Sequence, residues 1–418
     1  MNPDRLVAGL DIGSAKTTAI IGEVVGDLPK NPVIKVLGVG QARTTGMRRG
    51  VVADIEETTR SIRKAVQDAE RMAGVQVHDV YSGIAGEHVQ AMISKGIVAV
   101  SGDEIVRSDV DRANDVAKAV AIPAERELLH ALPQEYAVDK NAGIRDPVGM
   151  TGTRLETEMY LVTIGSSPAL NLRKSVERAG YTVRELVLEP FASALAVLTE
   201  DEKELGVALV EMGAGTTDLA LFHEGKIRHL GTIAFGGNNV TSDIVHGLGV
   251  TQGDAERLKE RYGCAYEPLV DPADVIQLPS TVAQGDRQIP RELLAHIIHQ
   301  RMDEIFDLVQ AEIATAGYAG RLSAGVVLTG GAAAMQGCAE LAGDVFGTGV
   351  RVGVPAEKLS GLSDSVEAPR FATVVGLAQY GASRIAMGAG SSARRTRVST
   401  GVTGAFQRLK HWLKDDFF

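Results

Sequence analysis

The sequence predicts an α/β protein of two lobes, each built around a similar sheet. Its 418 residues exceed the size at which a single core stops growing. Apolar residues make up 44% of the chain and 47 positions are glycine, which fits many strand-to-helix turns. A strand, turn, strand pattern opens the chain at 6–41 and returns at 206–237. This repetition predicts a second lobe that duplicates the first.

The composition and termini of the chain exclude several classes of protein. The net charge of −10 provides no bulk attraction for nucleic acid. With two cysteines, Cys264 and Cys338, a disulfide framework is excluded and a reducing compartment is expected. The N-terminus does not resemble a secretion signal, and no apolar run reaches the length of a membrane span. We therefore expect a cytosolic protein that does not bind nucleic acid.

The first lobe is predicted to alternate strands and helices, with an insertion. Its elements are predicted as strands at 6–10, 18–25 and 33–41, a helix at 55–72 and a strand at 75–84. This core spans 1–83. Residues 84–164 change to two strand-like stretches, a helix at 108–120 and a loop-rich segment, which predicts an inserted subdomain. The chain then returns to the first lobe at 165–189, through a helix and a strand.

The second lobe is predicted to begin with its own core at 190–236. A helical and β subdomain follows at 237–324, with helices at 238–248, 251–262 and 290–317. Residues 325–387 complete the core with a buried strand and a return helix at 371–387. From 388 to 402 the composition shifts to Gly, Ser, Thr and Arg, which predicts a flexible linker. Helical periodicity resumes at 403–418.

Two glycine-rich turns are the candidate phosphate-binding segments. Asp11-Ile12-Gly13-Ser14-Ala15-Lys16-Thr17-Thr18 and Glu211-Met212-Gly213-Ala214-Gly215-Thr216-Thr217-Asp218 occupy matching places between strands. Glycine lets the backbone approach a phosphate and point N–H groups at it, and hydroxyls add donors. A lone strand–Gly–strand hairpin is commonplace, but the repeated context disfavours that explanation. A third glycine turn, 329–332, lies between a strand and a helix. Neither of the first two turns is a Walker A motif.

These turns resemble the phosphate-1, phosphate-2 and adenosine motifs of the actin, Hsp70 and sugar-kinase superfamily. Within it the chain is similar to the bacterial FtsA family over residues 5–387 and the tail. The motifs that carry this resemblance are DIGSAKTT, SGIAGEH, LEPFASALA, GGNNVTSDI, DAERLKERYG and VVLTGGAAAMQG. The resemblance implies an actin-like two-lobed ATPase fold with duplicated five-stranded-sheet domains. It also implies that the insertion is the FtsA-type subdomain, which relatives use for filament contacts.

The resemblance implies ATP and Mg²⁺ as ligands and assigns residues to them. Asp11 is expected near Mg²⁺, and Glu189 near the attacking water, with Glu211 as a third catalytic carboxylate. The residues expected to contact nucleotide are Gly13, Ser14, Lys16, Thr17, Gly213, Gly215, Thr216, Thr217, Gly237, Asn238, Glu256, Lys259, Gly330, Gly331, Ala332 and Met335. For Glu256 and Lys259, an ordinary solvated ion pair on one helix face stays an alternative.

One position departs from the family pattern. Relatives usually carry Asp where this chain has Glu211, and the longer side chain moves a carboxylate that would help to organise Mg²⁺ and water. A misplacement on the order of 1 Å can cost about a hundredfold in rate. We therefore predict tight Mg·ATP binding with, at most, slow hydrolysis.

The tail has the pattern of an interfacial helix. Its apolar residues on one face include Phe406, Leu409, Trp412, Leu413 and Phe417. Cations lie on the other face and three arginines precede the helix, which is typical of attraction to anionic lipid. The alternative is a terminal helix docked on the protein's own core. Because the preceding linker is predicted to be flexible, we favour the membrane.

The resemblance favours a cytoskeletal adaptor at the division septum. It implies filaments of this chain on the inner face of the cytoplasmic membrane, tethering the tubulin-like protein FtsZ and engaging downstream division proteins. Arg301 and Glu304 match the region where relatives hold the FtsZ tail, although a solvated helix face explains these two residues equally well. Alternatives on the same fold are a type IV pilus actin-like protein and a small-molecule kinase.

Overall fold

The chain begins with the strand meander predicted for the first lobe. This computed structural model describes residues 3–281 and 285–395. The first elements are β1 (Leu6–Ile12), β2 (Lys16–Asp27), β3 (Asn31–Arg43), β4 (Met47–Arg48), β5 (Val51–Val52), α1 (Ile55–Ala73) and β6 (Asp79–Ile84). Helix α1 begins after Asp54, whose side chain accepts a hydrogen bond from Glu57 N, and ends at Gly74 in the left-handed conformation. Both are standard helix boundaries, so short-range signals set this element.

The insertion forms a separate four-stranded sheet covered by a helix. Its elements are β7 (Gln90–Ala99), α2 (Arg107–Lys118), β8 (Arg126–Val138), β9 (Asn141–Ile144) and β10 (Arg154–Gly165), and the strand order is β7-β10-β8-β9. The segment expected to be loop-rich around Pro133 is part of strand β8. Pro133 lies opposite Met159 beside a register shift, where a missing N–H is tolerated.

The chain then returns to the first lobe and crosses to the second. The remaining elements are α3 (Ser166–Ala179), β11 (Thr182–Leu188), α4 (Glu189–Val197), α5 (Glu200–Leu205), β12 (Val207–Met212), β13 (Thr217–His223), β14 (Lys226–Ile233), α6 (Gly237–Leu248), α7 (Gln252–Tyr262), β15 (Val275–Thr281), β16 (Gly285–Pro290), α8 (Arg291–Thr315), β17 (Val326–Thr329), α9 (Cys338–Phe346), β18 (Val350–Val352), β19 (Leu359–Gly361) and α10 (Ala372–Arg395). The β15–β16 hairpin was not predicted from the sequence.

The two large sheets show the duplication directly. The second-lobe sheet has five strands in the order β14-β13-β12-β17-β18, and the first-lobe sheet has the order β11-β6-β1-β2-β3-β19. The first sheet therefore gains a sixth edge strand, β19, from the second half of the chain. Asp11 pairs with Thr18 across β1–β2, and Glu211 pairs with Asp218 across β12–β13. The two glycine turns thus occupy equivalent positions in the two lobes.

Helices α4 and α10 lie where the lobes meet. Helix α4 follows a first-lobe strand and precedes a second-lobe strand, while α10 packs on β1, β2 and β3 and along α4. Their close approach requires Gly376, because a β-carbon there would lie 1.8 Å from Ala192 O. Helix α10 also runs to Arg395, so the predicted linker from residue 388 is helical over its first part. Glycine and serine lower helix propensity without preventing a helix, so the composition of this stretch predicted the end of α10 too early.

The predicted membrane helix, 403–418, lies outside the described residues, as does the rest of the linker from 396. Residues 403–418 include all five predicted lipid contacts, Phe406, Leu409, Trp412, Leu413 and Phe417. Among the helices that the structure describes, none is both long enough and apolar enough to cross a bilayer.

Candidate functional site

A deep cleft of about 630 Å³ lies between the two lobes. The predicted site residues that line it are Asp11, Gly13, Ser14, Lys16, Glu189, Glu211, Gly213, Gly215, Thr216, Gly237, Glu256, Lys259, Gly330, Gly331, Ala332 and Met335. Residues from six separate stretches of the sequence therefore meet in one cavity. A cavity of this size suits a small-molecule ligand.

The two glycine turns have the same local geometry and touch across the cleft. Gly13 N donates to Lys16 O over 3.1 Å, and Gly213 N donates to Thr216 O over 2.9 Å. A β-carbon built on Gly215 would lie 2.7 Å from Ser14 Oγ. A side chain at 215 would therefore displace Ser14 while the turns lie this close. Such an arrangement can place N–H groups and hydroxyls on both sides of a polyphosphate.

Three predicted nucleotide contacts do not line the cleft. The Thr17 hydroxyl is buried and lies 2.7 Å from Thr44 Oγ1 and 3.0 Å from Ser61 Oγ. Thr217 is also buried and donates to Phe235 O, while Asn238 is exposed at the first turn of α6. Since side chains alternate along a strand, Thr18 points into the cleft and Thr17 points to the other face.

Lys259 and Glu256 tie two helices together beside the cleft. Lys259 Nζ donates to Glu256 Oε2 and Thr241 Oγ1, each over 2.8 Å, and to Gly237 O over 3.0 Å. The side chain of Lys259 is only 11% exposed. This network disfavours a merely solvated pair, since it fixes α7 against the start of α6 where both helices border the cavity.

The third glycine turn closes the far side of the cleft. Gly330 has φ of 86°, and a β-carbon there would lie 2.5 Å from Met212 O, so glycine is required. Gln336 and Arg291 also line this end, although neither was predicted from the sequence. Arg291 Nη2 donates to Gln336 Oε1 over 2.8 Å. No local pattern marked this pair, because the two residues come from elements 45 positions apart.

Four buried carboxyl groups lie at the floor of the cleft: Asp11, Glu189, Glu211 and Asp218. Burial raises the pKa of Asp11 to about 7, of Asp218 to about 6 and of Glu211 to about 8. Burial, and then the charges of the other three, raise the pKa of Glu189 well above its usual value. Gly83 makes room for Glu189, since a β-carbon there would lie 2.8 Å from its Oε1.

This carboxyl cluster fits an Mg²⁺ ion held indirectly. No group of three or more His, Cys, Asp or Glu side chains among the described residues is arranged to hold a metal by itself. Mg²⁺ commonly keeps several waters and binds through one or two carboxylates with substrate phosphates. A cation here would favour the ionised carboxylates and so oppose the burial that raises these pKa values. Asp218 belongs to this group although it was not predicted; its pairing opposite Glu211 was the available signal.

Two hydroxyl groups from helices α4 and α10 bind the Glu211 carboxyl group. Ser193 Oγ donates to Glu211 Oε2 over 2.8 Å, Thr373 Oγ1 donates to Oε1, and the two hydroxyls lie 3.2 Å apart. These hydrogen bonds favour the ionised form, but burial outweighs them and raises the pKa of Glu211. Glu211 also lines the cleft, so its catalytic role stays a prediction.

Asp218 also has both carboxyl oxygens bonded. Thr232 Oγ1 donates to Oδ1 over 2.6 Å, and Thr216 Oγ1 donates to Oδ2 over 3.0 Å. The Thr216 hydroxyl, predicted to meet phosphate, is therefore occupied by Asp218. Thr216 still lines the cleft, so its backbone remains beside the turn.

The inserted subdomain reaches the segment that carries Glu189. His130 on β8 accepts a hydrogen bond from Leu188 N over 3.1 Å, and its ring packs against Phe191. Burial, and then the nearby charge of Arg384, lower the pKa of His130 to about 4, so the ring is neutral at pH 7 and Nε2 can accept. The insertion thus supports the turn from β11 into α4, at which Glu189 begins the helix.

Arg301 and Glu304, the predicted partner contacts, lie on α8 outside the cleft. Arg301 Nε donates to Asp243 Oδ2 over 2.6 Å, and its guanidinium also contacts Glu304 and lies 5.4 Å from the centre of the Phe235 ring. The Arg301 side chain is 23% exposed, whereas that of Glu304 is 51% exposed. Arg301 therefore fixes α8 against α6, and Glu304 is the more accessible of the two.

Residues 208–376 match the family described as "Cell division protein FtsA", and residues 86–163 match that described as "SHS2 domain inserted in FTSA". The chain is 42% identical to cell division protein FtsA of Pseudomonas aeruginosa over 415 residues, which cover 99% of this chain and 98% of that protein. It is 38% identical to cell division protein FtsA of Escherichia coli K12 over 420 residues, again covering 99% and 98%.

Solved structures show a similar fold at low sequence identity. One, a PilM–PilN type IV pilus biogenesis complex, gives a TM-score of 0.63 at 16% identity, over 90% of this chain and 98% of that chain. Another, MreB 5 of Spiroplasma citri bound to AMPPNP, gives 0.53 at 16% identity, over 94% and 99%. At such identities the likeness shows the fold alone. The predicted actin-like ATPase fold with its inserted subdomain is confirmed.

Proposed function

The chain belongs to the FtsA family of cell division proteins, and we propose that it is an ATP-binding, actin-like adaptor that tethers an FtsZ ring to the membrane. The observation that carries the nucleotide part is the pair of glycine turns facing each other across one cleft. Ser14, Lys16 and the backbones of Gly13, Gly213 and Gly215 would hold the phosphates. The Glu256–Lys259 network and the turn at Gly330 would border the nucleoside.

Mg²⁺ would be held beside Asp11, through water and phosphate. When bound, the metal ion supplies charge that stabilises the transferring phosphoryl group. Glu189 is the candidate for orienting the attacking water, because it begins α4 at the floor of the cleft and Gly83 leaves space for it. Since Glu211 is engaged by two helices, we propose that hydrolysis is slow and that ATP acts chiefly as a ligand for conformation and polymerisation.

The membrane part of the proposal rests on the tail sequence. Phe406, Leu409, Trp412, Leu413 and Phe417 would enter the lipid interface, and the flanking cations would meet anionic headgroups. A single amphipathic helix binds membranes reversibly, so several tails in one filament would bind far more strongly than one. We therefore propose that self-association and attachment to the inner face of the cytoplasmic membrane at the septum act together.

The FtsZ contact is proposed for the surface around Glu304. Arg301 is bound within the fold, so its part in such a contact would be to present Glu304 and the neighbouring helix face. The low-identity likeness to a pilus complex shows the fold alone and gives no reason to prefer a pilus function. No observation favours a small-molecule kinase.

Co-sedimentation with vesicles tests the adaptor function. The full chain is mixed with vesicles containing about 30% anionic phospholipid and with fluorescent FtsZ, with Mg·ATP present. We expect the chain to carry FtsZ into the pellet, and a chain lacking 403–418 to leave it in solution. The matched pair is Trp412→Asp, expected to release both proteins, and Gln407→Ala on the polar face, expected to have no effect. FtsZ recruitment by the truncated chain would refute the tether.

A further inference from the structure

The carboxyl group of Glu211 joins three elements that come from separate parts of the chain. Glu211 belongs to β12 of the second-lobe sheet, Ser193 to α4, and Thr373 to α10. Its two oxygens bond to the two hydroxyls, which are 3.2 Å apart. Ser193 and Thr373 are 180 positions apart in the chain. We call these three side chains the hydroxyl clasp.

The clasp lies on the connection between the lobes. Helix α10 packs on β1 and β2 of the first-lobe sheet, and α4 is the segment by which the chain crosses to the second lobe. Gly376, one turn after Thr373, lets α10 approach α4 at Ala192, beside Ser193. Tight packing of α4 on α10 therefore holds the two hydroxyls together, and Glu211 reaches them from β12 of the second-lobe sheet.

The length of the side chain is essential to this arrangement. An aspartate at 211 would hold its carboxyl group about one C–C bond, roughly 1.5 Å, closer to β12, and could not reach both hydroxyls without a backbone shift. A glutamine keeps the length and has one acceptor and an amide donor, so it can bond to both. Glutamate and glutamine satisfy the clasp, and aspartate does not.

We propose that the hydroxyl clasp controls how readily the two lobes separate, and that Glu211 is a positioning residue rather than a carboxylate that organises the metal ion. The inference rests on the proposed function, since separation of the lobes governs the exit of nucleotide from the cleft. Opening would break the bonds to Ser193 and Thr373 together, because both hydroxyls lie on the helices that join the lobes. Closing would restore them.

The test is the rate at which a fluorescent ATP analogue leaves the full chain. The protein is loaded with Mg²⁺ and mant-ATP, and dissociation is followed by stopped flow after mixing with excess ATP. Glu211→Asp, Ser193→Ala and Thr373→Val should each accelerate release by about fivefold or more, since one hydrogen bond contributes about 1 kcal/mol. Glu211→Gln should stay within about twofold of the original chain, as should the control Ser175→Ala, another buried serine, on α3.

The relative release rates of Glu211→Asp and Glu211→Gln distinguish a positioning role for Glu211 from a metal-organising role. A metal-organising carboxylate would tolerate Glu211→Asp and fail with Glu211→Gln, which is the reverse of the clasp. Adding Ser193→Ala to Glu211→Asp should produce no further acceleration, because the clasp is already broken. Nucleotide release that is fast in Glu211→Gln and slow in Glu211→Asp would overturn the inference. Fully additive effects of Ser193→Ala and Glu211→Asp would overturn it too.

A second measurement does not depend on nucleotide. In the nucleotide-free chain, hydrogen exchange of the α4 amides should be faster in Glu211→Asp than in Glu211→Gln, because α4 loses its tie to β12. Equal exchange in the two variants would overturn the inference. Absence of mant-ATP binding to the unmodified chain would instead refute the proposed nucleotide function, and the exchange comparison would still decide the role of the clasp.

Discussion

Lys16 and Glu260 face each other across the mouth of the cleft, with Lys16 Nζ 4.0 Å from Glu260 Oε1. Lys16 begins β2 of the first lobe at the glycine turn, and Glu260 lies on α7 of the second lobe. Both side chains are more than half exposed. The pair therefore bridges the lobes at the rim, and a phosphate that binds Lys16 must compete with Glu260 for the ammonium group.

Removing the competing carboxylate should strengthen nucleotide binding slightly. Because exposed ion pairs contribute about 0–1 kcal/mol, Glu260→Gln should lower the dissociation constant for Mg·ATP by up to about fivefold. Lys16→Ala should raise it by at least about tenfold, since charge-assisted hydrogen bonds are stronger than neutral ones. Titration with mant-ATP measures both, and Glu177→Gln on α3 is the control. Weaker binding in Glu260→Gln would show that the carboxylate helps rather than competes.

Closure of the cleft should depend on the absence of a side chain at 215. In Gly215→Ala the new methyl group would lie 2.7 Å from Ser14 Oγ and press the two glycine turns apart. We expect Mg·ATP affinity to fall by at least about tenfold, because losing one hydrogen bond to a charged phosphate costs about 1.5–3 kcal/mol. Gly253→Ala on α7 is the matched control, because nothing lies within 4 Å of a β-carbon there. Equal affinity for both variants would contradict contact between the turns.

The carboxyl cluster should make stability depend on pH. For Asp11, Glu211 and Asp218 the pKa is raised in the folded state to between about 6 and 8. Folded protein therefore binds more protons than unfolded protein above about pH 4, so the free energy of unfolding decreases as pH rises from about 4 through about 8. The melting temperature without nucleotide should fall by a few degrees between pH 6 and pH 8.

Two comparisons test whether the carboxyl cluster causes this pH dependence of stability. Glu189→Gln removes a carboxyl group whose own pKa is raised by burial and by its three neighbours, so it should raise the melting temperature at pH 8 and flatten the pH dependence. Glu177→Gln should leave both unchanged. Mg·ATP should also flatten the dependence, because a cation near the cluster favours the ionised carboxylates. A melting temperature that rises from pH 6 to pH 8 would contradict the raised pKa values.

Glu189 should matter for hydrolysis and little for binding. Phosphate release from the full chain on vesicles is expected to be slow, and Glu189→Gln should reduce the single-turnover rate by about a hundredfold, a typical contribution for a general base. The mant-ATP dissociation constant should change by less than about threefold. Rapid steady-state release from the unmodified chain would contradict the proposal of slow hydrolysis, and an unchanged rate in Glu189→Gln would remove this residue from the reaction.

Much of the fold follows from short-range sequence patterns. Asp54 and Gly74 mark the ends of α1, and the alternation of apolar residues around Gly13 and Gly213 predicts the same hairpin twice. The sequence predicted a β component within 237–324 but not the β15–β16 hairpin itself. The end of α10 was placed too early because Gly and Ser lower helix propensity without preventing a helix. Local sequence preference determines secondary structure only where tertiary packing does not override it.

The candidate phosphate turns, the position of the insertion and the duplicated two-lobed fold could all be predicted from the sequence, because each depends on residues near one another in the chain. The contacts of Glu211 could not be predicted, because they depend on tertiary packing. Its partner Thr373 is 162 positions away, and the two meet because Gly376 lets α10 pack closely on α4. The same is true of the raised pKa values, which arise when four carboxyl groups from separate strands and helices share one buried floor.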